Sequence, residues 1–246
     1  MPEMKRICLF AVAAATVGVL SAPVAASAQI IELGATSTPL VAPSCPAGVS
    51  PVNCKIVLTQ VTALETIRDG VTYPTTVKKA GSIVAFTLGL SRLAANRATA
   101  RSDIHFLDQT YGGTTRAAIT VLRPKGAKKL RQWTVVGESP VFHLQPYLGQ
   151  VVQFTLPAPI AVKPGDTVGL TTPTWAPVLS IQLPTSKFAY RQSRSTNCGT
   201  PPTTNQAKAV KQTAAYNCNY TGTRVEYSAT EITSPVAANP IHAPRR

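Results

Sequence analysis

Short stretches with a two-residue hydrophobic rhythm, separated by proline and glycine, constrain this chain more than any other feature. In Ser82–Leu90, Val84, Phe86, Leu88 and Leu90 fall on one face, and Ile83, Ala85, Thr87 and Gly89 on the other. That is the alternation of a strand, whose side chains point to opposite sides in turn. Ile56–Leu64, Ala117–Leu122, Trp133–Val136, Val151–Leu156, Thr167–Leu170, Val178–Leu183 and Arg224–Ala229 read similarly. Several are apolar on both faces, as a covered central strand is. The chain holds 21 prolines and 15 glycines, and no helical period survives for more than two turns. The expected fold is all-β: a single β-sandwich of roughly eight to ten strands, jelly-roll-like, with long irregular loops.

Ser91–Arg101 is the best helical candidate, with Leu93, Ala94 and Arg97 able to share a face, and it reads equally as a charged loop. Lys163-Pro164-Gly165-Asp166 is the clearest turn. Proline presets the first central position and glycine supplies the positive φ of the second. With Pro159–Val162 before it and Thr167–Leu170 after it, the segment forms a strand–turn–strand unit.

The N-terminus predicts export. Lys5 and Arg6 precede an uncharged apolar run, Ile7–Leu20, and Ala26-Ser27-Ala28 offers small residues for cleavage. The run is shorter than the roughly 20 residues that span a bilayer, so residues 1–28 read as a cleaved signal peptide rather than an anchor. Residues 29–44 then read as a flexible leader, 45–233 as the sandwich domain and 234–246 as a disordered basic tail. No later stretch is apolar enough to span a membrane, so a secreted or envelope-associated protein is expected.

Cleavage removes Cys8 and leaves Cys45, Cys54, Cys198 and Cys218. An even count in an exported chain reads as two disulfides. Three connectivities are possible, and loop length favours Cys45–Cys54 with Cys198–Cys218. No pair has the two-to-four-residue spacing of a zinc knuckle, so neither a metal nor another cofactor is expected.

Taken together, Ile119–Pro124, Val135–Ser139, Ile160–Leu170, Trp175-Ala176-Pro177, Tyr216–Tyr220 and Arg224–Thr230 resemble a group of secreted actinobacterial β-sandwich proteins with no assigned function. The resemblance spans most of residues 55–232 and rests on strand and turn signatures. It implies the fold and carries over no catalytic residue.

Groups able to do chemistry are scarce. His105 lies two residues after Asp103, so on a strand the two would share a face and the carboxylate could orient the imidazole; a surface histidine beside an aspartate is the plainer reading. His143 and His242 have no evident partner. There is no Gly-x-Ser-x-Gly elbow, His-Glu-x-x-His, phosphate loop or calcium loop. Glycoside hydrolysis needs only two carboxylates, and the acids after residue 28 are Glu32, Glu65, Asp69, Asp103, Asp108, Glu138, Asp166, Glu226 and Glu231. Asp166 reads as serving its turn.

The charge is the strongest remaining signal. The full chain carries +14, and loss of Lys5, Arg6 and Glu3 with the signal peptide lowers this to +13. Residues 78–131 hold Lys78, Lys79, Arg92, Arg97, Arg101, Arg116, Arg123, Lys125, Lys128, Lys129 and Arg131 against Asp103 and Asp108 alone. Such a field attracts anionic polymers, and export turns the expectation from cytosolic nucleic acid to wall polymer, acidic polysaccharide, anionic lipid or extracellular DNA. Lys125, Lys128, Lys129 and Arg131 are the expected contacts, unless they are a solvated hairpin that protects a sheet edge. Trp175, between Pro173 and Pro177, is expected either to stack on a sugar ring or to plug the core beneath a loop. The leading expectation is a non-catalytic module that binds an anionic polymer; the alternatives are a polysaccharide hydrolase or lyase and a structural envelope protein.

Overall fold

A computed structural model describes residues 27–50, 54–127 and 131–235. Residues 1–26 of the expected signal peptide, Lys128, Lys129, His242 and tail positions 236–246 lie outside the described residues. In chain order the strands are β1 (Ile30–Leu33), β2 (Leu58–Arg68), β3 (Val71–Thr72) and β4 (Gly81–Gly89), followed by helix α1 (Arg97–Thr110). Next come β5 (Arg116–Pro124), β6 (Gln132–Glu138), β7 (Phe142–His143), β8 (Val151–Val162), β9 (Thr167–Ala176) and β10 (Leu179–Ser180). The chain continues through β11 (Phe188–Gln192), β12 (Thr213–Ala215), β13 (Cys218–Thr221), β14 (Arg224–Val225) and β15 (Tyr227–Thr233).

The strands form two main antiparallel sheets. The smaller has the order β1-β15-β4-β8, and the larger runs β12-β6-β5-β9-β2-β11-β13 with β3 beside β2. A shared core fills the space between them: Ile83, Phe86, Leu88 and Phe154 come from the smaller sheet, and Val61, Ile119, Val121 and Leu170 from the larger. Phe86 stacks on Phe154 at 5.1 Å and meets the edge of Phe142 at 5.2 Å. The fold is the expected all-β sandwich, and its disulfides are Cys45–Cys54 and Cys198–Cys218.

Three local expectations are corrected. In β4, Ile83 is fully buried and Val84 is only half-buried. A register shift between Ile83 and Ala85, present against both β8 and β15, inserts one residue and reverses the faces there. The Lys163–Asp166 turn closes as expected, with Gly165 at φ 90° and the Asp166 amide donating to the Lys163 carbonyl at 3.0 Å. It joins two strands, as expected, and the two belong to different sheets. β8 pairs with β4, whereas β9 pairs with β5 and β2, so the turn carries the chain from one sheet to the other.

The helix begins at Arg97 rather than Ser91 and runs to Thr110. The Asn96 side chain accepts from the Ala98 and Thr99 amides, at 2.8 and 3.1 Å, which sets its start. Upstream, Leu93 takes a positive φ of 67°, incompatible with a continuous helix. Residues 29–44 are not a loose leader in this structure. Ile30–Leu33 pairs with β15 as an edge strand, and residues 34–44 form a strap held by side chains beneath it. Arg68 donates to the Gly34 carbonyl. Arg224 donates to the carbonyls of Thr38 and Pro39, at 3.1 and 3.0 Å. Asp69 accepts from the Thr38 amide and hydroxyl, at 2.9 and 2.7 Å. These contacts satisfy backbone groups that would otherwise favour water.

Candidate functional site

Strand register fixes which basic residues share an end of the sandwich. Gly81, which opens β4, lies opposite Val162, which closes β8; Leu122, near the end of β5, lies opposite Thr167, which opens β9. Lys78, Lys163 and Arg123 therefore come to one end, around Asp166. The Val77 amide donates to the Asp166 carbonyl at 2.8 Å, and the Lys163 amide donates to Asp166 Oδ2 at 3.0 Å. Arg123 grips the same carboxylate through Nε at 2.7 Å and Nη2 at 2.8 Å. This hydrogen bond, more than the charge attraction, raises the Arg123 guanidinium further above its usual range. Asp166 is 1% exposed, so its charge is spent inside the turn while Lys78 and Lys163 remain at the surface.

The β5–β6 hairpin extends this end. The Lys125 amide donates to the Gln132 carbonyl at 2.9 Å, and both Lys125 and Arg131 are exposed. Arg131 accepts from the Tyr216 amide through its own carbonyl at 2.8 Å, and the Arg191 side chain donates to the Tyr216 and Asn217 carbonyls at 3.2 and 3.1 Å. Burial and then the neighbouring Arg131 charge lower the Arg191 guanidinium. Two expected contacts thus sit on one exposed hairpin, and Lys128 and Lys129 lie outside the described residues. Lys78, Lys163 and Arg191 join them. Lys78 belongs to the basic run of residues 78–131 and Lys163 to the predicted turn; their convergence depends on the crossing between sheets.

The alternative of a sugar-stacking Trp175 is overturned. Trp175 is fully buried beneath α1 with Leu93 and Leu107, and its indole N–H donates to Asp108 at 2.9 Å and to the Gly113 carbonyl at 3.1 Å. It plugs a small satellite core. Trp133 is also buried, in a second cluster on the outer face of the larger sheet.

The pairing of Asp103 with His105 fails as well. Both residues lie on a helix, where positions two apart diverge. Asp103 is buried and ion-paired with Lys55 at 3.0 Å, while His105 is exposed. The carboxylates are largely engaged in structure: Glu32 accepts from Ser228 and Thr230, Glu226 from Ser180, and Glu65 from the Val225 amide. The two described cavities that carry a carboxylate carry one each, Glu32 in one and Glu138 in the other.

Comparison with protein-family models, with curated proteins and with solved structures finds no match. The functional reading therefore rests on the geometry alone.

A second ionic group lies under the strap. Glu65 and Arg68 form a fully buried ion pair, and Arg68 also donates to the carbonyls of Val225 at 3.0 Å and of Tyr227. Burial pushes the Glu65 carboxyl up to about 7, against the pull of Arg68. Arg224 pairs with Glu226 at 3.2 Å. Partial burial works to raise Asp69, yet the strap's donors hold it at about 2. The residues of this group use their polar atoms on one another and on backbone, which is the pattern of a latch.

Proposed function

We propose that this protein is a secreted, non-catalytic β-sandwich that binds an anionic envelope or extracellular polymer through the basic end described above. The observation that carries this reading is the arrangement around Asp166. The nearby acid is buried and already bound to Arg123, so Lys78, Lys163, Lys125 and Arg131 present positive charge with no ion pair among the described residues. Cations held at one end of a rigid sandwich attract a polyanion by long-range field and by release of its counterions. Export is supported by the predicted signal peptide. The two disulfides fit an oxidising compartment, and no helix among the described residues is long and apolar enough to cross a membrane.

The test is retention of the full chain on an immobilised acidic polysaccharide, compared with a Lys125→Glu/Arg131→Glu variant. Both side chains are exposed, so the variant should fold. Retention at low salt that is lost in the variant is the expected result; equal retention of the two proteins would overturn the assignment of this end.

A further inference from the structure

The outer face of the larger sheet carries an arrangement that the basic end does not use. Thr62 on β2, Thr171 on β9 and Thr120 on β5 are buried and hydrogen-bonded in a row, Thr62 to Thr171 at 2.8 Å and Thr171 to Thr120 at 2.5 Å. The row ends on Glu138, which accepts from the Thr120 hydroxyl at 3.3 Å. A carboxylate only accepts, so it sets the direction of the whole row. Thr120 donates to Glu138, Thr171 donates to Thr120, and Thr62 donates to Thr171. This leaves Glu138 Oε2 without a protein donor among the described residues.

Glu138 reaches this face through a backbone irregularity. The β5–β6 register shifts between Val121 and Leu122, which puts Glu138 opposite Thr120 while Val135 still faces Leu122. The long segment after β11 folds over the face. Ser193 accepts from the Thr62 amide at 2.9 Å and donates to the Gln206 carbonyl at 3.1 Å, and the Gln206 amide donates to the Gln60 carbonyl at 2.7 Å. Between this segment and the sheet lies a cavity of about 230 Å3 lined by Glu138, Thr171, Val141, Pro173, Asn205 and Lys208. That volume is below the range for drug-sized ligands and suits one ring-sized unit.

We infer that this cavity is a subsite for a single sugar residue of an acidic polysaccharide, an assignment that rests on the polymer-binding reading above and narrows it to one class of polymer. Glu138 accepts a hydrogen bond from a sugar hydroxyl. Asn205 and Lys208, on the covering segment, donate to ring or hydroxyl oxygens. Val141 and Pro173 give an apolar wall for the C–H face of the ring. A polymer of bare phosphates has few protons to offer Glu138, whereas every sugar unit brings hydroxyl donors, so the cavity selects for sugar.

The cavity is also placed to extend the basic end. Glu138 and Trp133 are at opposite ends of β6, roughly 17 Å apart at the rise of a strand. Exposed Lys211 sits between them, its amide donating to the Val135 carbonyl at 2.8 Å. Burial also pushes the Glu138 carboxyl up, opposed by the Thr120 hydrogen bond.

The test compares two probes of similar length, an oligogalacturonate and an inorganic polyphosphate, by calorimetric titration of the full chain at low and high salt. The oligogalacturonate should bind more tightly, and its preference should persist at high salt, where the common electrostatic part is screened. Glu138→Gln should reduce the preference by about tenfold, the effect of exchanging a charged acceptor for a weaker neutral one. Val141→Trp, which fills the cavity from an exposed position without changing charge, should reduce it comparably. If both probes bind alike and neither variant changes their ratio, the sugar subsite is overturned and polymer binding stands. If neither probe binds even at low salt, the polymer-binding reading falls, and the subsite falls with it.

Discussion

Glu65 and Arg68 show how far charge alone misleads at the residue scale. In the sequence they are one acid and one base three apart on a strand; in the structure they are a fully buried pair whose remaining polar atoms serve backbone groups of β14, β15 and the strap. Removing one partner leaves the other buried without compensation. Arg68→Met should therefore cost about 3–5 kcal/mol, read as a fall in the denaturation midpoint; a change near zero would show that the strap is not held this way. The pH dependence has a definite sign. Burial raises the Glu65 carboxyl from 4.5 unfolded to about 7 folded, so the fold binds the proton more tightly than the unfolded chain does. The stability this provides is complete below about pH 4.5 and is lost as the pH rises through about 7. The melting temperature should fall across that window, and Glu65→Gln should flatten the fall. An unchanged slope in the variant would contradict the assignment to Glu65.

At the scale of elements, pattern was a good guide to where strands lie and a poor one to which face they show. Ser82–Leu90 was legible as a strand because alternation is a property of neighbouring residues. The bulge that exchanges Val84 for Ile83 is a property of two pairing partners, and nothing local marks it. The same holds at Glu138, where a shift against β5 decides that the carboxylate meets Thr120. Residues 34–44 were illegible for a related reason. They have no period, and their order comes from Arg68, Asp69, Arg224 and Glu226 elsewhere in the chain. Gly89 shows how close this strap lies: an added Cβ would sit 1.8 Å from the Val41 carbonyl oxygen. Gly89→Ala should push the strap away, at a cost of about 1–3 kcal/mol, and open residues 34–44 to limited proteolysis. Wild-type resistance in the variant would argue against a seated strap.

Over the whole molecule, the sandwich and both disulfides were readable in the sequence, because strand alternation, proline and glycine punctuation and the four cysteines after residue 28 all point to one architecture. The basic end was half readable. Lys125 and Arg131 stood out as a dense run, whereas Lys78 and Lys163 join them only because the 163–166 turn passes from one sheet to the other. Trp175 was open to two readings, and its burial under α1 decides for the core. The functional account depends on charge gathered at one end of a rigid body, and such binding has a thermodynamic signature. The most direct measurement is the affinity of the full chain for an acidic polysaccharide across a range of salt concentrations. Our account predicts a straight, falling plot of log affinity against log salt, made shallower by about one for each cation removed from the set Lys78, Lys125, Arg131 and Lys163. An affinity that does not change with salt, or a slope untouched by those substitutions, would contradict it.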